Sequence, residues 1–314
     1  MRGLIRFLWL LCPLVLGALE FKVANYNVEN LFDASVQGGE YQEYIPNAKH
    51  GWNEAMLRIK IANLARVIRD IDADVIALEE VENQAVLERL NAALGDKAYA
   101  FVFYPKKKER VSVETALLSR FAIEKTQTFW LPDQARGIHK LSLRIGTYPL
   151  TLYVSHWPAY KEKEDERLVY AKTLHNLLEQ DKNAEVIVMG DLNSPYQERK
   201  GHWGMGLSTF LKAGDKNAPL YNLWYDLPQN ARYSHSYGKE KETLDHIIVS
   251  KTLFDRQKIE YVPFSMRVFI APYMLDEKGN PNRWQISDRG RGQHLGIGYS
   301  DHFPITAIFH TPKE

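Results

Sequence analysis

Six apolar segments of this chain each have a polar or ionisable residue at one end, and this pattern restricts the folds that the chain can adopt. Runs such as "FKVANYN", "DVIALEE" and "EVIVMGD" are rich in Val, Ile and aromatic residues, which is typical of buried strands. The flanking residues are Asn27, Glu79 and Glu80, His156, Asp191 and Asn193, Asp245 and His246, and Asp301 and His302. Four of these sites follow their strand and two precede it. The sites can meet at one edge only if the strands run in both directions, so the pattern predicts mixed sheets rather than a purely parallel one.

Amphipathic helical segments separate several of the strand-like runs. The segment "NEAMLRIKIANLARVIRDI" places Leu57, Ile61 and Leu64 on one face, and "DERLVYAKTLHNLLEQ" does the same with Tyr170 and Leu174. Strands that alternate with helices predict an α/β protein. No repeat, low-complexity tract or linker interrupts the chain after residue 20, so we expect one domain over residues 19–314.

The N-terminal segment has the features of a secretory signal peptide. The basic "MRGLIR" precedes the apolar "FLWLLCPLVLGA", which ends at the small residue Ala18. We therefore predict a signal peptide over residues 1–18, a secreted or periplasmic location, and no stable membrane insertion after its removal. The only cysteine, Cys12, lies in this segment, so the mature protein has no disulfide. The net charge of +1 favours no particular class of partner.

The polar residues at the strand ends indicate a chemistry as well as a fold. Clustered carboxylates repel one another unless a positive charge lies among them. A hard divalent cation with oxygen ligands meets this need, and Mg²⁺ takes one or two protein carboxylates together with water and a substrate phosphate. Histidines add acid and base groups that titrate near neutral pH. The set predicts metal-assisted hydrolysis of a phosphate ester by water, with Mn²⁺ or Ca²⁺ as alternatives to Mg²⁺.

Six motifs occur in an order that resembles the endonuclease/exonuclease/phosphatase superfamily, which includes pancreatic-type deoxyribonuclease. The motifs are "NYNVENL", "DADVIALEEVEN", "SHWPAY", "GDLNSP", "TLDHIIVS" and "YSDHFPI". The resemblance covers about residues 20–310, and "RYSHSYGKEKETLDHIIVS" is most similar to secreted bacterial nucleases. It implies a four-layer α/β sandwich in which two mixed β-sheets lie face to face with helices outside.

The resemblance also implies roles for residues on the metal side of the site. Asn27 corresponds to the first-strand Asn near the metal and the scissile phosphate. Glu80 corresponds to the metal-binding Glu, and Asp301 to the Asp on the metal side. Glu79 occupies a position where many members have Gln, so a contact between Glu79 and the metal is left open.

The resemblance assigns the remaining roles to water activation and to the leaving group. Asp191 and Asn193 correspond to the pair that positions the attacking water and stabilises the charge on phosphorus. His302 corresponds to the general base, and Asp245 to the Asp that orients it. His156 corresponds to the His that contacts the phosphate or assists the leaving group. His246, which enters a strand, is expected to pack or form hydrogen bonds rather than catalyse.

Two basic segments are candidates for contact with phosphate. Arg289 and Arg291 lie in a Gly-rich loop shortly before Asp301 and His302, and guanidinium groups suit phosphate recognition. The run "PKKKER", residues 105–110, is either a solvated hairpin tip or a contact to a nucleic-acid backbone.

We therefore predict a monomeric, secreted, metal-dependent phosphodiesterase that hydrolyses nucleic acid, and DNA in particular. One alternative is a secreted phospholipid or sphingomyelin phosphodiesterase, or an inositol or lipid phosphatase. That alternative requires an exposed apolar loop, for which "WGMGLSTFL" is a candidate. A second alternative is a non-catalytic binding protein or toxin subunit, which predicts the loss of catalytic residues.

Overall fold

The computed structural model describes residues 18–106, 111–159, 163–196, 219–237 and 240–313. The strands are β1 (Glu20–Leu31), β2 (Val75–Val81), β3 (Phe101–Phe103), β4 (Glu114–Ser119), β5 (Ala122–Trp130), β6 (Gly137–Ile145), β7 (Tyr148–Ser155), β8 (Val186–Asp191), β9 (Leu220–Asn222), β10 (His235–Tyr237), β11 (Glu240–Glu242), β12 (Asp245–Ser250), β13 (Glu260–Tyr261), β14 (Arg267–Val268) and β15 (Ile305–His310). The α-helices are α1 (Glu54–Ile71), α2 (Gln84–Ala92) and α3 (Glu164–Gln180). Short 3₁₀ turns occur in the connections.

The strands form two mixed sheets. The first has the order β13-β15-β1-β2-β4-β3, with β14 also paired to β15. Its β1 and β2 are parallel, and its other pairs are antiparallel. The second has the order β5-β6-β7-β8-β12-β9, in which only the β7–β8 pair is parallel. The strands β10 and β11 form a separate hairpin. The predicted mixture of strand directions is confirmed.

Side chains of alternate parity divide the core into layers, because successive residues of a strand point to opposite faces. In β1, Phe21 and Val23 pack in the cluster between the sheets, whereas Ala24 and Tyr26 face the helices α1 and α2. In β8, Ile187 and Met189 join the same inter-sheet cluster, and Val186 and Val188 pack with residues of α3. The layers are therefore α1 and α2, the first sheet, the second sheet, and α3, which confirms the four-layer sandwich.

The helices begin and end where the sequence supplies capping groups. The Asn53 side chain accepts hydrogen bonds from the backbone N–H groups of Ala55 and Met56, and it thereby caps α1. The helix ends at Ile71, and the following residue, Asp72, has a left-handed φ of 49°. The predicted helices over α1 and α3 are confirmed. None of the helices in the described ranges is long and apolar enough to span a bilayer.

A close approach between β7 and β8 depends on Gly190, which immediately precedes Asp191. Its φ is +146°, and a Cβ built there would lie 1.9 Å from the backbone oxygen of Ser155. Only glycine fits this position without moving one of the strands. This is the physical reason for the first residue of the "GDLNSP" motif.

Three sequence predictions fall wholly or largely outside the described residues. Residues 1–17 of the predicted signal peptide and the apolar "WGMGLSTFL" segment are not among them, and only residues 105–106 of the basic run are.

Candidate active site

The inward-facing apolar rows of four strands end in polar residues at the same edge of the sandwich. Asn25, Glu79, Asp191 and Asp245 each lie two residues along a strand from an apolar side chain of the inter-sheet core, and all four are buried. Asp191 and Asp245 are paired across β8 and β12. The Asn25 amide nitrogen donates to Glu79 Oε2 at 3.2 Å and to Asp245 Oδ1 at 3.3 Å. Strand register alone therefore brings these polar groups together.

A hydrogen bond between His302 and Asp245 joins this group of buried polar residues to the segment that precedes β15. His302 Nδ1 lies 2.7 Å from Asp245 Oδ2, and because a carboxylate only accepts, Nδ1 donates. His302 Nε2 faces Asp191 Oδ2 at 3.8 Å. Burial alone would lower the pKa of His302, but Asp245, with Asp191 and Asp301, raises it well above its ordinary value. Asp245 thus orients His302 and stabilises its protonated form.

Asn27 connects the predicted metal side to the predicted water-activating side. Its amide nitrogen donates to Glu80 Oε1 at 3.1 Å and to Asp191 Oδ2 at 3.0 Å. Its amide oxygen accepts from the backbone N–H of Glu29 at 2.9 Å. Asn27 therefore holds the two carboxylates at a fixed separation, with its nitrogen toward them.

The consecutive glutamates of β2 point to different parts of the site. Glu79 follows the inward parity and lies with Asn25 and Asp245, and burial raises its pKa well above its ordinary value. Glu80 has a left-handed backbone with φ of 66°, which redirects its side chain toward Asn27 and the backbone N–H of Asn30. Backbone conformation at one residue thus separates the two carboxylates, and Glu79 lies on the Asp245 side of the cleft.

His156 lies directly after β7, opposite His302 across Asp191. Its Nε2 is 3.6 Å from Asp191 Oδ2, and its Nδ1 is buried without a hydrogen-bond partner among the described residues. Burial lowers the pKa of His156 well below its ordinary value, and Arg136 and His302 lower it further. The Arg136 guanidinium is held by the backbone oxygens of His156 and Trp157. His156 is therefore neutral at physiological pH.

Asn193 forms the turn after β8 with a left-handed φ of 49°. Its backbone N–H donates to Asp191 Oδ1 at 2.9 Å, and its side-chain nitrogen donates to the backbone oxygen of Trp157 at 2.9 Å. The same turn thus fixes Asp191 and ties it to the segment that carries His156.

Asp301 lies next to an arginine that the sequence did not single out. Arg283 donates through Nη2 to Glu29 Oε1 at 2.6 Å, and that nitrogen lies 3.6 Å from Asp301 Oδ2. Glu29 is buried, whereas the Arg283 side chain is 58% exposed. Burial would raise the pKa of Asp301, but His302, Arg283 and other cations hold it below its ordinary value.

Arg289 and Arg291 are not brought into this cluster. Both are exposed on a short turn, where Arg291 Nη2 lies 3.5 Å from Asp288. Neither arginine contacts a cluster residue within the described part of the chain. The structure instead places Arg283 and Arg136 beside the predicted site.

The sequence reasoning missed several residues that lie in the cleft. Asn25 could have been found, because it lies two residues before Asn27 on the same face of β1. Arg283 and His235 carry no such signal, because the segments that contain them have irregular backbones or short strands.

The donor set suits a divalent cation on the side of Glu80 and Asp301. Burial raises the pKa of Glu80, and the nearby carboxylate of Asp301 raises it further. Two half-buried carboxylates that repel each other are stabilised by a cation between them. A pair of carboxylates is also the usual protein contribution to a Mg²⁺ site. Glu80 and Asp301 would hold the metal, with Asn27 supporting Glu80.

The fold is shared with several solved structures. TDP2 of D. rerio, solved in a complex with a single-strand DNA product, superposes with a TM-score of 0.60 and 15% identity over 92% of this chain and 98% of that one. ANGEL2, a 2′,3′-cyclic phosphatase solved with adenosine-2′,3′-vanadate, gives a TM-score of 0.61 and 14% identity over 94% and 96% of the two chains.

A bacterial protein has the same fold. An endonuclease/exonuclease/phosphatase family protein from Bacteroides thetaiotaomicron gives a TM-score of 0.58 and 13% identity over 93% of this chain and 98% of that one. No curated protein sequence matches this chain significantly. At identities this low, the likeness to solved structures establishes the fold alone.

A family model decides the assignment, since it spans almost the whole described structure. The model for the Endonuclease/Exonuclease/phosphatase family matches residues 22–311, which contain all six sequence motifs and every residue of the cleft. The chain therefore belongs to the Endonuclease/Exonuclease/phosphatase family of metal-dependent phosphoester hydrolases.

Proposed function

We propose that this protein is a secreted nuclease that hydrolyses phosphodiester bonds of DNA by in-line attack of water. One observation carries the proposal: the Asp245-backed Nε2 of His302 faces Asp191, and Asn27 joins Asp191 to Glu80. A base, a water-positioning carboxylate and a metal-side carboxylate therefore line one buried cleft.

Proton removal from water is the role of His302. Since Nδ1 donates to Asp245, the neutral ring presents its Nε2 lone pair toward Asp191. A water held between this nitrogen and Asp191 Oδ2 can give its proton to Nε2. Asp245 then stabilises the imidazolium that results. General-base catalysis of this kind contributes about 10²–10⁴-fold.

His156 serves the opposite side of the reacting phosphate. A neutral imidazole has one N–H to donate, and the buried Nδ1 of His156 has no hydrogen-bond partner among the residues that the structure describes. Its position next to Asp191 suits a hydrogen bond to a phosphate oxygen or to the departing oxygen. Arg136, held at the backbone of His156, adds positive charge there.

The cation at Glu80 and Asp301, for which we propose Mg²⁺, neutralises charge on the phosphate when it is bound. Oxygen-only donors at these two residues favour Mg²⁺ or Mn²⁺. Asn27 keeps Glu80 in place through its amide nitrogen.

Three observations support DNA as the substrate and a location outside the cytoplasm. D. rerio TDP2 was solved with a single-strand DNA product and ANGEL2 with an adenosine vanadate, so the shared fold accommodates nucleic-acid phosphates. The motifs resemble secreted nucleases. The N-terminal "MRGLIRFLWLLCPLVLGA" segment has the features of a signal peptide. Family membership and the intact set of polar residues oppose the non-catalytic alternative.

A plasmid-nicking assay tests the proposal. The purified protein is incubated with supercoiled DNA and with Mg²⁺, Mn²⁺, Ca²⁺ or EDTA, and in parallel with sphingomyelin liposomes. We expect nicking with Mg²⁺ or Mn²⁺, none with EDTA, and little release of lipid headgroups. Asp191→Asn should reduce nicking by about 10²-fold or more, whereas Arg291→Gln, on the exposed turn, serves as the matched control. Turnover of liposomes without turnover of DNA would overturn the substrate assignment.

A further inference from the structure

His235 is a cleft histidine that the proposed hydrolysis does not use. It lies at the start of β10, where its backbone forms an isolated antiparallel bridge with His302. The backbone N–H of Phe303 also donates to the oxygen of Ser234 at 2.7 Å. The two imidazole rings are 4.8 Å apart between centroids and inclined at 41°. Main-chain pairing therefore fixes His235 beside His302.

Both imidazoles are backed by a carboxylate on the same ring nitrogen. His235 Nδ1 lies 3.2 Å from Glu242 Oε2, and His302 Nδ1 lies 2.7 Å from Asp245 Oδ2. Since a carboxylate accepts only, each Nδ1 carries a hydrogen, and in the neutral form of each ring Nε2 presents its lone pair. Carboxylate-backed histidines of this tautomer are typical of metal sites, where the carboxylate orients the ring and raises its basicity.

Asp301 supplies a third potential metal ligand beside the two imidazoles. Its Oδ1 is 3.9 Å from His302 Nε2, while its Oδ2 faces Arg283. One ligand atom each from His235, Asp301 and His302 can be chosen so that all lie within 4.8 Å of one another. Two imidazole nitrogens and a carboxylate oxygen suit Zn²⁺ and related transition metals, whereas Mg²⁺ prefers oxygen donors throughout.

We propose that His235, Asp301 and His302 form an inhibitory site for a transition-metal cation of the Zn²⁺ class. Such a cation occupies the Nε2 lone pair of His302, so this nitrogen cannot accept a proton from water. It also draws Asp301 away from Glu80. The cleft thus contains two overlapping donor sets, one of oxygens and one rich in nitrogen. The binding part stands on this geometry alone, while the inhibitory part rests on the proposed nuclease activity.

A titration without substrate tests the binding part. Chelator-treated protein is titrated with Co²⁺, whose visible absorption reports nitrogen coordination, and the bound Co²⁺ is then displaced with Zn²⁺. We expect one Co²⁺ per chain, retained in excess Mg²⁺. His235→Gln should weaken binding by at least about 10-fold, and Glu242→Gln, which leaves every ligand in place, by about 10-fold.

Glu80→Gln is the matched control, because Glu80 belongs only to the oxygen donor set. It should keep Co²⁺ binding within about threefold of the unmodified protein, which is clearly less than the roughly 10-fold loss expected for the outer-sphere variant Glu242→Gln. Circular dichroism confirms that each variant is folded, and Glu242→Gln decides the matter if His235→Gln does not fold. Co²⁺ affinity that is insensitive to both substitutions, or that depends on Glu80 instead, would overturn the site.

Plasmid nicking with Mg²⁺ tests the inhibitory part. Added Zn²⁺ should inhibit the unmodified protein, and His235→Gln should require about 10-fold more Zn²⁺ for half inhibition, in line with its weaker binding. Each variant is compared with its own rate without Zn²⁺. Equal Zn²⁺ sensitivity would refute the inhibitory role. A protein that binds Co²⁺ as expected but cleaves no DNA contradicts the proposed function and leaves the metal site intact.

Discussion

The chain contains the dipeptide Asp-His twice, and the two copies behave differently. Asp245–His246 opens the strand β12, and Asp301–His302 lies in the irregular chain before β15. His246 is buried away from the cleft, where Nε2 contacts the Ser194 backbone oxygen at 2.8 Å. His302 crosses to the first copy and pairs with Asp245. The hydrogen-bonded pair of His302 and Asp245 is therefore formed between the copies rather than within either one.

Strand geometry explains the difference. In β12, Asp245 and His246 are consecutive strand residues, so their side chains point to opposite faces of the sheet. Asp245 faces the cleft, whereas His246 meets Asn222 on the outer side. Before β15 no ladder imposes that alternation, and Ser300 arranges the chain by donating to the Asn27 backbone oxygen and accepting from the His302 N–H. The adjacency of Asp and His in the sequence therefore does not specify which carboxylate forms a hydrogen bond with which histidine.

The largest expected effect comes from Asp245→Asn, which breaks the pairing between the two copies. An amide can donate to Nδ1 and so favours the tautomer whose hydrogen is on Nε2, which cannot accept a proton from water. We expect kcat for plasmid nicking to fall by about 10²–10⁴-fold with little change in KM. A loss of less than about threefold in single-turnover assays would show that Asp245 does not orient the base.

A second test concerns His246, which should affect stability and not catalysis. Burial lowers the pKa of His246 to about 4, whereas an unfolded histidine titrates near 6.5. The unfolded state therefore binds more protons below about pH 6.5, so this contribution to stability is present at neutral pH and is lost as the pH falls toward 4. The loss between about pH 7 and pH 5 is on the order of 2 kcal/mol.

His246→Gln removes this titration while it keeps hydrogen-bonding groups. Its unfolding free energy, measured in urea, should therefore depend less on pH over that interval than that of the unmodified protein. Parallel pH profiles for the two proteins would mean that His246 is not held neutral.

The smallest expected effect comes from a change at Arg283, which lies beside the Asp301–His302 copy. Arg283 lies beside Asp301 at the mouth of the cleft, and its Nη1 has no partner among the described residues. Arg283→Gln should raise KM for DNA about 10-fold and reduce the salt slope of binding by about one, as expected for one lost phosphate contact. Arg291→Gln should leave both unchanged. The reverse result would restore the phosphate role that the sequence suggested for Arg291.

The sequence predicted the strand-borne part of the cleft better than the loop-borne part. Polar residues at the ends of apolar runs located Asn27, Asp191 and Asp245, because strand ends of one parity meet at one edge of a sandwich. They also located Glu80, which reaches the same cleft through its left-handed backbone. The same reasoning gave the mixed sheets, whereas the four-layer sandwich was implied by the resemblance of the motifs to the endonuclease/exonuclease/phosphatase superfamily. It did not predict β5 or β6. The strand β5 lies at the edge of its sheet, has exposed polar residues and contains no apolar run. In β6, "GIHKLSLRI", polar residues alternate with apolar ones.

Loop geometry was beyond the reach of periodic patterns. Between residues 270 and 300 the chain forms short turns and contacts that are specific to single side chains. The hydrogen bond between Glu29 and Arg283 depends on a left-handed φ of 50° at Glu29, and the local sequence contains no signal that predicts this conformation. Arg289 and Arg291 had a suitable composition around them, but the turn directs them outward. The signal peptide, the DNA substrate and the monomeric state remain predictions.

Gly190 gives the cleft its width. Its missing side chain lets β7 and β8 approach so closely that Ser155 and Gly190 nearly touch. His156 follows Ser155 and Asp191 follows Gly190, so the close approach of Ser155 and Gly190 sets the distance between the His156 imidazole and the Asp191 carboxylate. A single methyl group added at position 190 would push β7 and β8 apart. It would thereby increase the distance between His156 and Asp191 without altering either side chain.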